Sequence, residues 1–221
     1  MLVKVCGMTS VEDIKICAEN DVSIVGFLLQ PPSNSYDRKD MLPLKVAKEL
    51  ISHVPSSMES CLLIHLQGID RIVKRIKELK PTMIQIQKQS KISIEDVKHI
   101  KEIFPDLKIT KTFYAKEDID FMKLVSEIKI YIDSKLIDFV LLDSEVGGSG
   151  KVHNWDISAN IIKEIHPFPT LLAGGLSPDN IKNAISKVKP YGVDVMSGIS
   201  KDSREKDENK IKAFVKNAKL N

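Results

Sequence analysis

Aromatic side chains make up only 5% of this 221-residue chain, and it has three cysteines and one tryptophan. Cys6, Cys17 and Cys61 are odd in number and lack Cys-x-x-Cys spacing, which argues against a disulfide framework and a zinc site and fits a reducing cytoplasm. The five histidines, at positions 53, 65, 99, 153 and 166, stand singly without ligand spacing and read as surface or core residues. Only His153 is placed near a loop of interest. No basic block interleaves with aromatics, and the net charge of +3 comes from lysines scattered among nearly as many acids, so no nucleic-acid partner is expected. No apolar run approaches the ~20 residues of a bilayer span. Met1 leads straight into a strand-like run rather than a basic and then apolar leader, so the expectation is a cytoplasmic chain with no membrane partner. A strand-Gly-x-Gly-x-x-Gly-helix opening is missing, which argues against an open doubly wound sheet. With no low-complexity linker or break in composition, residues 1–221 are expected to form one domain.

What the chain does have is Ile, Val and Leu in short runs, separated by amphipathic stretches. Such runs suit strands buried on both faces, and the alternation is that of repeated βα units. Eight strand candidates follow: 2–6, 23–29, 61–66, 82–87, 107–112, 138–143, 170–173 and 192–196. The first helix is predicted from Ser10 as cap, Asp13 at the capping-box position, and the stripe Val11, Ile14, Cys17 and Ala18. Later helices are predicted over 94–104, 119–131, 155–165, 178–188 and 209–218, with Ser177 capping and Pro178 in the first turn of the seventh. Eight such units in this length close into an α/β fold of the (β/α)8-barrel type, whose active site lies in the loops after the strands.

Chemistry-bearing residues gather at those strand ends. Gly147-Gly148-Ser149-Gly150 follows the sixth strand, Gly174-Gly175 the seventh and Ser197-Gly198 the eighth. Glycines let backbone N–H groups close on an anion, and the loops after strands seven and eight are the usual phosphate site of a barrel; each pair alone is also consistent with a tight turn. Cys6 ends the first strand and Asp143 the sixth, so a thiol and a carboxyl group are placed to act as base and acid on a sugar. The plainer alternatives are a buried small hydrophobe for Cys6 and a cap or turn for Asp143. Asp194, inside Val193-Asp194-Val195, must be paired or hydrogen-bonded if it faces the barrel interior. Two readings stay open for it: a ligand contact, or an ion pair with a lysine such as Lys4 or Lys111.

Taken together, Lys4-Val5-Cys6-Gly7-Met8-Thr9, Val25-Gly26-Phe27, Leu142-Asp143, Gly147 to Lys151, Trp155, Leu172 to Asn180, Val193 to Gly198 and Lys206-Asp207 resemble the phosphoribosylanthranilate isomerase family in order and spacing. The resemblance implies an Amadori rearrangement of N-(5′-phosphoribosyl)anthranilate in tryptophan biosynthesis. It would need no metal or organic cofactor and would act on a small phosphosugar as monomer or homodimer. By position, Asp143 becomes the general acid, Cys6 the general base and Asp194 a substrate-binding residue. Gly148, Gly150, Gly174, Gly175, Ser197 and Gly198 become phosphate-binding residues. The aglycone side departs from the pattern: Ser35 stands where the family has Arg, and Gln87-Lys88 where it has His-Gly. Arg38 is then the candidate to meet the anthranilate carboxylate, with Gln87 beside it. These departures leave two alternatives open, an isomerase with a different amino substituent and a non-catalytic phosphoribosyl-ligand binder.

Overall fold

A computed structural model describes residues 1–30, 41–65, 67–116, 118–144, 154–201 and 205–220. Eight parallel strands form the barrel: β1 (Leu2–Cys6), β2 (Ile24–Leu29), β3 (Glu59–Ile64), β4 (Met83–Ile86), β5 (Lys108–Tyr114), β6 (Phe139–Asp143), β7 (Thr170–Leu172) and β8 (Gly192–Val195). Each pairs with the next, and β1 pairs with both β2 and β8, which closes the sheet. Every predicted strand is present. A two-residue strand, Met41–Leu42, which the sequence pattern did not suggest, pairs with the end of β2.

The helices are α1 (Val11–Glu19), α2 (Leu44–Ser52), α3 (Ile69–Leu79), α4 (Ile94–Ile103), α5 (Phe121–Asp133), α6 (Trp155–Ile165), α7 (Ile181–Val188) and α8 (Glu208–Lys219). The α1 capping box forms as predicted: Asp13 N–H donates to Ser10 Oγ at 3.1 Å and Ser10 N–H to Asp13 Oδ2 at 3.2 Å. At α7 the expectation is corrected. The helix starts at Ile181 rather than Pro178, because Asn180 holds the preceding residues in a turn. Its Oδ1 accepts from Ser177 N–H at 2.9 Å while its Nδ2 donates to the Gly175 carbonyl at 2.8 Å.

Side chains alternate across each strand. One set, including Val3, Val5, Val25, Phe27, Leu62, Ile64, Ile84, Ile86, Val140 and Leu142, packs outward under the helices in the main core. The other set points into the barrel. There Cys6, Ile24, Leu28, Cys61, Leu63 and Met83 form one cluster, and Leu141, Leu171 and Ala173 another. Polar side chains share this interior: Lys4, Asp194, Gln85, Thr110 and Thr112 are all buried. Gln85 Nε2 donates to Thr112 Oγ1 at 3.2 Å.

Candidate active site at the barrel mouth

On β1 the inward residues are Leu2, Lys4 and Cys6, so the ammonium of Lys4 lies one inward step below the thiol. Lys4 is in register with Asp194 on β8, and its Nζ donates to Asp194 Oδ2 at 2.6 Å, with Lys4 wholly buried. Of the two readings of Asp194, the ion pair is therefore present, and Lys4 rather than Lys111 makes it. The ligand contact is not displaced, since Asp194 Oδ1 is buried and has no hydrogen-bond partner among the described residues. Burial alone would lower the Lys4 ammonium, but the Asp194 carboxylate, aided by the thiols of Cys6 and Cys61, holds it well above its ordinary value. Burial pushes Asp194 upward, opposed by Lys4 and by Lys206.

Cys6 is 2% exposed. Burial raises its thiol to about 11 against the pull of Lys4 and Lys206 and a hydrogen bond from the Gly7 backbone, while Asp194 pushes it up. Room for the sulfur comes from Gly26, its neighbour in register on β2. Gly7 N–H donates to the Gly26 carbonyl at 2.9 Å and fixes the chain's exit from β1. Lys206, also buried, enters from the segment before α8. Its backbone N–H donates to Asp13 Oδ1 at 3.3 Å and its Nζ to Ser200 Oγ at 3.2 Å.

Asp143 closes β6. Burial raises its carboxyl to about 6, and the Asp194 charge adds to the rise; the backbone and hydroxyl of Ser144 and, more weakly, Lys4 oppose it. Ser144 N–H donates to Asp143 Oδ1 at 2.7 Å. Cys6 and Asp143 thus stand at the same end of the barrel and share one electrostatic neighbourhood, the Lys4–Asp194 pair. A carboxyl group raised to about 6, at the same end of the barrel as a thiol, suits proton transfer on one small substrate.

The remaining predicted residues divide by location. Gly174 and Gly175 follow β7 at φ +89° and +65°, and Ser197 and Gly198 form the turn after β8. The two segments abut, for a Cβ on Gly198 would lie 2.0 Å from the Leu176 carbonyl oxygen. None of the four donates its backbone N–H to a protein acceptor among the described residues. Gln87 follows β4 in step with the inward Met83 and Gln85 and is 8% exposed. Arg38, Ser35 and the loop 147–151 with Gly148 and Gly150 lie outside the described residues, as does His153.

Two more residues stand at the mouth: His65, which reads from the sequence as surface or core, and Tyr114, which the sequence does not single out. His65 follows β3 in step with the inward Cys61 and Leu63, and Tyr114 ends β5 in register with Asp143. The available signal was the alternation, which reaches His65 within the predicted strand 61–66 and Tyr114 one step past the predicted strand 107–112. Among the described residues no three His, Cys, Asp or Glu side chains gather as metal ligands would, and no helix is long and apolar enough to cross a membrane.

A closed parallel barrel with a thiol, two carboxyl groups and an ammonium at the C-terminal ends of its strands defines an enzyme of the (β/α)8 class built for acid–base chemistry. Residues 3–217 match the family described as N-(5'phosphoribosyl)anthranilate (PRA) isomerase. The N-(5'-phosphoribosyl)anthranilate isomerase of Methanosarcina acetivorans is 33% identical, covering 96% of this chain and 91% of that protein. The Pyrococcus furiosus isomerase structure superposes with a TM-score of 0.81 at 26% identity over all of both chains. That of Thermotoga maritima, solved as monomers generated from a dimeric enzyme, gives 0.79 at 25% identity over all of both. The chain belongs to the phosphoribosylanthranilate isomerase family and is an isomerase.

Proposed function

We propose that this chain catalyses the Amadori rearrangement of N-(5′-phosphoribosyl)anthranilate to 1-(2-carboxyphenylamino)-1-deoxyribulose 5-phosphate, a step of tryptophan biosynthesis, with Asp143 as general acid and Cys6 as general base. The observation that carries these roles is the meeting of both groups around the Lys4–Asp194 pair at the strand ends. Asp143, raised to about 6 by burial and the Asp194 charge, retains a proton in a useful fraction of molecules near neutrality and passes it to the ring oxygen as the C1′–O bond breaks. The nitrogen lone pair forms the C1′=N bond, leaving an iminium cation. Cys6 as thiolate takes the C2′ proton, and those C–H electrons neutralise the iminium to give an enolamine that tautomerises to the ketone.

The thiol starts near 11, so thiolate is scarce at rest. A cationic iminium above the sulfur favours the thiolate, in the way that any close positive charge does, and supplies the help at the step that needs it. Asp194 Oδ1, buried and without a hydrogen-bond partner among the described residues, is available to a sugar hydroxyl or the amine. The phosphate is assigned to the backbone N–H groups of Gly174, Gly175, Ser197 and Gly198 with the Gly148–Gly150 loop, following the barrel rule for strands seven and eight. The aglycone then extends over the opposite rim toward Gln87, with Arg38 assigned to its carboxylate. The reaction as written uses no cofactor, and the chain is assigned to the cytoplasm as one domain acting as monomer or homodimer.

Purified protein mixed with freshly generated phosphoribosylanthranilate should abolish the substrate's fluorescence, and Cys6→Ala or Asp143→Asn should each lower kcat by ~10²–10⁴-fold. Unchanged rates in both variants would overturn the role assignment.

A further inference from the structure

Among the described residues, Lys4 is a charged group inside the barrel to which the proposed reaction assigns no step. We propose that Lys4 is a positioning residue: its ammonium keeps Asp194 ionised, and the Asp194 charge keeps the proton on Asp143 rather than on its neighbour. The geometry is specific. Lys4 is fully buried, in register with Asp194, bonded to Oδ2 at 2.6 Å, and one inward step below Cys6. The second Asp194 oxygen, Oδ1, is buried and has no hydrogen-bond partner among the described residues. A buried carboxylate with half its acceptor capacity unmet takes up a proton unless a cation holds it.

Each group faces its neighbours from a known element. Lys4 is met by Asp194 from β8, Cys6 from its own strand and Cys61 from β3. Asp194 is met by Lys4 and, from the segment before α8, by Lys206. Asp143 is met by Asp194, Lys4 and Ser144, and the push from Asp194 exceeds the pull from Lys4. Leu142 is in register with Leu172 and Leu172 with Val193, so Asp143 and Asp194, each one residue further on, are inward groups at one level of the barrel. Two such carboxyl groups divide their protons unequally, and a lysine bonded to only one of them decides which stays bare. Replacing Lys4 alone by an apolar side chain would leave the Asp194 carboxylate buried without its counter-charge, so the carboxyl would take up a proton rather than stay ionised. A pair that served only as a structural staple would do this without moving the Asp143 midpoint.

The kinetic consequence rests on the isomerase reading; the electrostatic claim does not, and is tested without substrate. Carboxyl-13C aspartate titrations by NMR, on the unliganded protein, are compared for wild type, Lys4→Met, Lys4→Arg, Asp143→Asn and Asp194→Asn, the last two also assigning the signals. In wild type Asp194 should be ionised at pH 7 and Asp143 should be the later of the two to lose its proton as pH rises. In Lys4→Met the Asp194 midpoint should rise by at least ~2 units, with Lys4→Arg restoring most of it. In Asp194→Asn the Asp143 midpoint should fall, because the like charge is gone and Lys4 remains. Turnover in Lys4→Met should fall at least ~10-fold in kcat with KM changed less than ~3-fold, the split of a group acting at the chemical step. An Asp194 signal unmoved in Lys4→Met, or an Asp143 midpoint unmoved in Asp194→Asn, would overturn the proposal; the second comparison serves even if Lys4→Met does not fold. A wild type with these titrations but no turnover would instead overturn the isomerase reading alone.

Discussion

Gly26 and Cys6 are neighbours in register on β2 and β1, and a Cβ added to Gly26 would lie 2.7 Å from Cys6 Sγ and 3.2 Å from Cys6 Cα. The thiol therefore occupies space that only glycine leaves open. Gly26→Ala should displace the sulfur, costing about 1–3 kcal/mol as an overpacked site does, and lower kcat by misplacing the base. The double variant Gly26→Ala/Cys6→Ala should recover most of the stability, because the colliding atom is gone. Chemical denaturation of the four proteins in the cycle measures the coupling, and additive losses would show that the contact does not matter.

The proposed acid and base have inverted affinities, Asp143 near 6 and Cys6 near 11. The reactive form, with Asp143 protonated and Cys6 ionised, is then a minor species whose population is constant between those two values. It falls below the lower one as thiolate is lost, and above the upper one as the carboxylic acid is lost. The profile of kcat/KM against pH should be a broad plateau with its acid limb near 6 and no alkaline limb until well above 9. A narrow bell with an alkaline limb at 7–8 would mean that the thiol is far more acidic in the free enzyme than its burial allows.

Eight strands were readable because each is a short run of β-branched or leucine residues, and Cys6 and Asp143 because they terminate two of those runs. The sequence offers Lys4 and Lys111 as partners of Asp194 without choosing between them. β1 and β8 are the chain's extremes, and only closure of the barrel puts Lys4 beside Asp194. Lys111 was excluded by parity, since it lies between the inward Thr110 and Thr112 and faces the helices. Tyr114 lies one alternation step past the apolar run 107–112, where hydrophobicity, the signal for a strand, has already ended, whereas His65 lies within the run 61–66 and reads as surface or core because it stands singly. The late start of α7 depends on two side-chain bonds of Asn180 that Ser-Pro spacing does not reveal.

Lys111 makes a separate prediction about stability. It is 5% exposed, with Nζ 5.4 Å from the centroid of the Tyr131 ring. Burial lowers its ammonium to about 8; Glu127 opposes this and Lys88 adds to it. A folded-state value below the unfolded one means that folding is penalised while the unfolded chain binds the extra proton. That penalty is full below pH 8 and fades as pH rises toward the ordinary lysine value. Lys111→Met should accordingly stabilise the protein at pH 7 by about 1–2 kcal/mol, after loss of the ring contact. Its advantage over wild type should shrink between pH 8 and ~10.4. Urea denaturation of both proteins at pH 7 and pH 10 checks the sign, and the comparison cancels the thiols that titrate in the same range.

The contact between Gly198 and Leu176 makes the phosphate assignment testable without touching the acid or base. Any side chain at 198 drives a Cβ to within 2.0 Å of the Leu176 carbonyl oxygen and 3.0 Å of Ser177 Cα, both backbone atoms of the loop after β7. That loop is tied at Gly175 and Ser177 by Asn180, so the strain of Gly198→Ala must be relieved by parting the β7 and β8 segments. If the four backbone N–H groups jointly hold the phosphate, parting them weakens substrate and inorganic phosphate alike. Both KM and the inhibition constant of inorganic phosphate should rise by ~10-fold or more, equivalent to about 1.4 kcal/mol each. The rate at saturation should fall much less, because Cys6 and Asp143 belong to other strands. Parallel rises in the two constants place the anion between these loops, whereas a KM that climbs while phosphate inhibition stays constant would move the phosphate site elsewhere on the mouth.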